Sequence, residues 1–162
     1  HPRPMNTIKT YGADGNKFGH TDQDGIERFW RHVLAGAASA RFHRPDSGLG
    51  LNDKAVACLR AVRKLESKIP LWSVHAANAL LSDREPNAAY LAADPGKAYA
   101  LYFPAGGKVT LDLSAAAGPL TAHWIDIATG EWGPVQPVEG GAKRVITAPG
   151  PGNWAAAVIP RE

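Results

Sequence analysis

The chain has 162 residues, 44% apolar and 20% charged, enough to bury a core as one ordinary domain or two small ones and too apolar for a disordered segment. A net charge of +3 is too small to argue for a nucleic-acid partner, and no apolar run approaches the roughly 18 residues that would mark a membrane span. One cysteine, Cys58, excludes an internal disulfide and a cysteine-type zinc site.

Charge is unevenly spread. Residues 1–70 carry twelve Lys/Arg against seven Asp/Glu, and residues 71–162 carry six against eight. A solvated basic helix face accounts for this more simply than an anionic partner does. Residues 1–21 begin His1-Pro2-Arg3-Pro4 without an initiating Met, as a processed product or a piece of a longer polypeptide would. They show no periodicity, hold Gly12, Gly15 and Gly19, and read as a long loop. Thr21 and Asp24 then have capping-box spacing, with Asp22, Asp24 and Glu27 near the positive end of a helix dipole. Ile26, Phe29, Trp30, Val33 and Ala37 recur at helical spacing, which predicts a helix ending near Gly36.

"ASARFHRP" (38–45) is a short strand candidate stopped by Pro45. A second helix is predicted from its Asn52 cap to Pro70, with Ala55, Cys58, Leu59, Val62, Leu65 and Ile69 as its buried stripe and Arg60, Arg63, Lys64 and Lys68 facing water. Residues 71–87 read as a connector. Leu71, Trp72, Leu80 and Leu81 are expected to pack between two parts of the structure, so that the second part docks through this segment. From Ala88 onward, short apolar runs ("AYLAA", "AYALYF", "VTLDL", "LTAHWID", "KRVIT", "WAAAVI") alternate with Gly- and Pro-rich turns. That spacing predicts an antiparallel sandwich or barrel.

Chemistry-bearing residues are sparse. His1, Arg3, His20, Asp22, His43, Arg44 and Asp46 form no catalytic spacing, and no Gly-rich phosphate loop or nucleophile elbow is present. His20 and Asp22 are too few to make a metal site, and no metal or cofactor is expected. Of the late tryptophans, Trp124 and Trp154 read as core. Trp132 follows a turn and could offer an apolar face to a sugar ring.

The stretches "HPRPMNTIKTYG", "DGIERFWRHVLAGAASARFHRP" and "HWIDIATGEW…GNWAAAVI" carry a resemblance over nearly the whole chain. With their Trp124-x-Asp126-x-x-Thr129-Gly130 turn, they resemble the C-terminal third of bacterial (β/α)8-barrel glycoside hydrolases of the apiosidase type. In that family the barrel is followed by a small β-sandwich labelled collagen-binding, a label that no residue here supports. The resemblance implies an α+β chain: the last α/β units of a (β/α)8 barrel in 1–70, a connector in 71–87 and an antiparallel β-sandwich in 88–162. Residues 1–21 would be the loop after the seventh strand, 22–36 the seventh helix, 38–44 the eighth strand and 53–69 the eighth helix.

Barrel active sites lie at the C-terminal ends of the strands. The resemblance therefore puts His43, Arg44 and Asp46 at the substrate rim, together with His1, Arg3, Asn6, Tyr11 and His20 of the first loop, while Trp132 offers a further substrate contact. Glycoside hydrolysis of this type needs two carboxylates. The family places them on the fourth and seventh strands, here expected before His1, and Asp14, Asp22, Asp24 and Asp46 match neither. The chain is then inert alone. Its expected partners are an oligo- or polysaccharide and the rest of the barrel, with no nucleic acid or membrane, and its expected location is extracellular or periplasmic. The alternative is a non-catalytic β-sandwich module that binds carbohydrate or protein.

Overall fold

The computed structural model describes residues 4–11, 20–42 and 52–161. Its first strand, β1, is Asn6–Thr10. It pairs in parallel with β2, Ser39–Phe42, and helix α1, Asp22–Leu34, crosses between them. The reading of 1–21 as loop is thus corrected at Asn6–Thr10. "NTIKT" carries β-branched residues but is too short and too polar for its period to show. Helix α2, Asp53–Glu66, follows.

Both helices start where the sequence predicts. Thr21 Oγ1 accepts from the Asp24 N–H at 3.1 Å, and Asp24 Oδ2 accepts from the Thr21 N–H at 2.8 Å. The Thr21 N–H and the Thr21 hydroxyl, both donating to Asp24 Oδ2, hold the Asp24 carboxyl below its ordinary value. Asn52 accepts from the Ala55 N–H at 2.8 Å.

The remaining strands are β3 (His75–Ala76), β4 (Leu81–Ser82), β5 (Tyr90–Asp94), β6 (Ala98–Phe103), β7 (Lys108–Asp112), β8 (Pro119–Asp126), β9 (Glu131–Glu139), β10 (Lys143–Thr147) and β11 (Trp154–Pro160). They build a six-stranded sheet of order β3-β5-β6-β11-β8-β9 and a three-stranded sheet of order β10-β7-β4, antiparallel throughout. Between the two sheets lie Leu91, Tyr99, Leu101, Phe103, Leu111, Leu120, Trp124 and Val158. β9 went unread because Gly133, Pro134 and Pro137 look like loop. As a sheet edge it tolerates prolines, which have no N–H to donate.

The other face of the large sheet packs on the helices. Ala92, Ala98, Ala100, Ala155 and Ala157 share one cluster with Trp30, Cys58, Ala61 and Leu65. Alternation along β6 and β11 sends Tyr99, Leu101, Phe103 and Val158 to the inter-sheet side, and Ala98, Ala100, Ala155 and Ala157, with Tyr102, to the helices. Both faces are therefore covered, and "AYALYF" is buried throughout. Adjacent aromatics on α1 serve different neighbours: Phe29 stacks on Phe42 of β2 at 4.5 Å, and Trp30 stacks on Tyr102 of β6 at 5.6 Å. The order of layers is parallel strand pair, helix pair, large sheet, small sheet.

Three expectations change. Trp72 is 78% exposed and packs between nothing. Leu71 and Val74 of the connector join the helix-layer cluster, while Leu80 and Leu81 belong to the core between the sheets, so the sandwich docks mainly through α1 and α2 with a smaller share from the connector. Leu59 is exposed, because the buried stripe of α2 is rotated toward Ala57 and Ala61, where small side chains let the helix approach the sheet.

Candidate functional site

β1 and β2 run in parallel, and Thr10 pairs with Phe42 in register, so their C-terminal ends share one edge. At that edge Thr10 is buried with an unpartnered Oγ1. Tyr11 and His20 are half-buried, with ring centroids 5.9 Å apart. The structure thus brings Tyr11 and His20 together. Asn6 begins β1 at the opposite end, where the Ser39 hydroxyl donates to its Oδ1 at 3.1 Å, and it does not join them. His1, Arg3, His43, Arg44 and Asp46 lie outside the described residues.

The nearby carboxylates have structural work. Asp24 closes the capping box, and Asp22 pairs with the Lys54 ammonium, tying the first turns of the two helices together. Among the described residues no group of three or more His, Cys, Asp and Glu could hold a metal. Burial pushes the Cys58 thiol up to about 12, which keeps it protonated and non-nucleophilic.

The tryptophans separate as the local pattern suggests. Trp124 is fully buried, its Nε1 donating to Gln136 Oε1 at 3.0 Å. Trp154 is half-buried and meets Trp124 edge-on. Trp132 is 42% exposed.

The Asp126–Gly130 turn places Trp132. Asp126 Oδ1 accepts from the Ala128 N–H at 2.8 Å, and its carbonyl accepts from the Gly130 N–H at 2.8 Å. Gly130 has φ +73°, and a Cβ there would lie 2.9 Å from the Ala57 carbonyl oxygen and 2.9 Å from Arg60 Cβ. The turn is seated on α2, and the hairpin beyond it carries Trp132 over the helix flank. There the Lys64 ammonium lies 5.8 Å from the Trp132 ring centre and 3.2 Å from Glu131.

Val56, Leu59, Arg60, Arg63, Lys64 and Ser67 complete a cleft of about 500 Å³ with Trp132. Its basic side was read as a plain solvent face. The stripe 56–60–63–67 was visible in the sequence, but not the hairpin some 70 positions later that walls it. Lys64 lies ten residues beyond Lys54 along α2, about 15 Å at helical rise. The cleft therefore sits away from the strand-end edge, and Trp132 does not join Tyr11 and His20.

No family model matches the chain, and no curated protein matches it. Solved structures do. One described as a glycoside hydrolase superposes with a TM-score of 0.71 at 14% identity over 97% of this chain. A glycoside hydrolase family 5 protein from Bacteroides vulgatus ATCC 8482 superposes with a TM-score of 0.66 at 15% identity over 86% of this chain. The match spans 42% and 36% of those two chains, less than half of each. At such identities the likeness is one of fold: this chain shares the architecture of part of these glycoside hydrolases.

Proposed function

We propose that the chain is the C-terminal part of a carbohydrate-active glycoside hydrolase, supplying one arc of the active-site rim and an accessory β-sandwich fixed to the barrel wall. The observation that carries this is the β1-α1-β2-α2 unit. A two-stranded parallel sheet is an unfinished structure, since parallel strands occur in larger sheets covered on both faces. Neither strand has a second ladder partner among the described residues. A mixed groove of about 770 Å³, with Val33, Ala40, Val62 and Leu71 on its apolar part and Arg63, Glu66 and His75 on its polar part, offers the surface on which further barrel units would pack.

On this reading β1 is the seventh strand and β2 the eighth, and Tyr11 and His20 face substrate. On the same reading the seventh strand lies inside the chain and ends Lys9-Thr10-Tyr11, with no acid, and the acid pair is assigned to strands that precede β1. The protein is exported on the same reading, as its family resemblance implies.

The test compares reducing-sugar release from plant polysaccharide oligomers by the 162-residue chain, and by the same chain joined to or mixed with the preceding barrel units. The expected result is no turnover by the chain alone and turnover by the completed barrel. A completed barrel inert across the panel would remove the hydrolase reading. Turnover by the isolated chain would refute the missing acids.

A further inference from the structure

The cleft between α2 and the β8–β9 hairpin is built like a small saccharide subsite, and its charge specifies which kind. One wall is the half-exposed Trp132, over whose ring the exchangeable Lys64 ammonium sits at 5.8 Å, and the floor adds Val56 and Leu59. An indole face matches the C–H face of a pyranose, because the ring's negative face meets weakly positive hydrogens. Around that platform stand Arg60, Arg63 and Lys64, answered by Glu66 on Arg63 and Glu131 on Lys64. Arg60 makes no ion pair among the described residues. One cation beside an apolar platform is thus left to neutralise a ligand charge, and the others can be shared. The hairpin is held in place by the contact of Gly130 with Ala57 and Arg60, so the wall is set before any ligand arrives.

We infer that this cleft binds an acidic sugar residue, a uronate, with its ring on Trp132 and its carboxylate on Arg60 and Lys64. The inference rests on the carbohydrate reading above and deepens it. The site lies on the flank of the barrel wall, apart from the strand-end edge, and would hold an acidic polysaccharide while a separate stretch meets the rim. A neutral sugar would leave Arg60 unused, and an extended polyanion such as nucleic acid would need a longer basic track than these three residues supply.

The test is calorimetric titration of the chain with tetragalacturonate, with cellotetraose as the neutral comparison, at low and moderate salt. Tetragalacturonate binds and cellotetraose does not; raising salt weakens binding; Trp132→Ala and Arg60→Gln each weaken it by about tenfold; and Lys108→Gln, a charge removed from the exposed start of β7, changes nothing. Both cleft positions are exposed, and circular dichroism confirms that the variants fold. Tetragalacturonate binding that survives both cleft variants would overturn the site and leave the carbohydrate reading standing. Equal binding of cellotetraose would overturn the acidic preference. Binding of neither saccharide at millimolar concentration would overturn the inference together with any saccharide role for this chain on its own.

Discussion

Gln23 and Asn153, 130 positions apart, exchange amide hydrogen bonds: Asn153 Nδ2 donates to Gln23 Oε1 at 2.8 Å, and Gln23 Nε2 donates to Asn153 Oδ1 at 3.3 Å. The Tyr102 hydroxyl also donates to Asn153 Oδ1, at 2.8 Å, and Gln23 reaches the Pro104 carbonyl at 3.1 Å. This network joins the first turn of α1 to the entry of β11. Asn153→Ala leaves the Tyr102 hydroxyl and the Gln23 amide short of a partner and is expected to cost about 1–3 kcal/mol. Gln23→Ala should cost less, and the double variant less than the two combined. Urea unfolding of the three variants checks this, and strict additivity would show that the two amides are not coupled.

Trp72 was expected in the joint between the two parts, but the tryptophan found there is Trp30. Trp30→Ala opens a cavity against Tyr102 and Cys58 and should cost about 3–5 kcal/mol. Trp72→Ala should stay within about 0.5 kcal/mol of the parent. Thermal melts of the two variants separate the helix-mediated joint from a connector-mediated one; a large loss from Trp72 alone would reverse the assignment.

Gly130 and Gly141 share a left-handed backbone, with φ +73° and +78°, but a Cβ at Gly141 would meet nothing within 4 Å. Gly141→Ala therefore reports backbone strain alone, about 1 kcal/mol. Gly130→Ala adds overlap with the Ala57 carbonyl and should cost clearly more. Similar losses in chemical denaturation would mean that the turn is not seated on α2.

Stability should fall with acid in two stages. The His32 pKa lies below its ordinary 6.5, through burial first and then Arg31 and Arg28. Asp24 lies below 3.8, through the Thr21 backbone N–H and hydroxyl. In both cases the unfolded chain binds protons more readily than the native one, so stability is complete above the unfolded pKa and lost as pH falls through the folded value. His32→Gln should flatten the first stage, below pH 6.5, and leave the second. An unchanged first stage in a plot of Tm against pH would assign it to another group.

What the sequence reveals of this molecule follows the range of its interactions. The caps of both helices and the strands of the late half depend on neighbours within a few positions, and Thr21, Asp24 and Asn52 act as their spacing indicates. β1, β3 and β4 are too short to show a period, and β9 is concealed by Gly133, Pro134 and Pro137; each exists because a partner strand pairs with it. Leu59 and Trp72 were misjudged because hydrophobicity alone does not say which side of a helix finds a partner. At the strand-end edge, the pairing of Tyr11 with His20 spans a segment whose spacing carries no signal. The cleft at Trp132 needed two elements that only folding brings together.

The helices α1 and α2 belong to two neighbours at once, and this gives the chain an unusual modularity. Cutting at Pro70, where the predicted barrel part ends, would strip the large sheet of its outer cover and leave a stripe of alanines and Tyr102 in water. A protein engineer moving this sandwich to another enzyme would have to carry both helices with it. An insertion meant to give it free swing would have to enter before α1, since the helices and the sheet they cover share one core cluster.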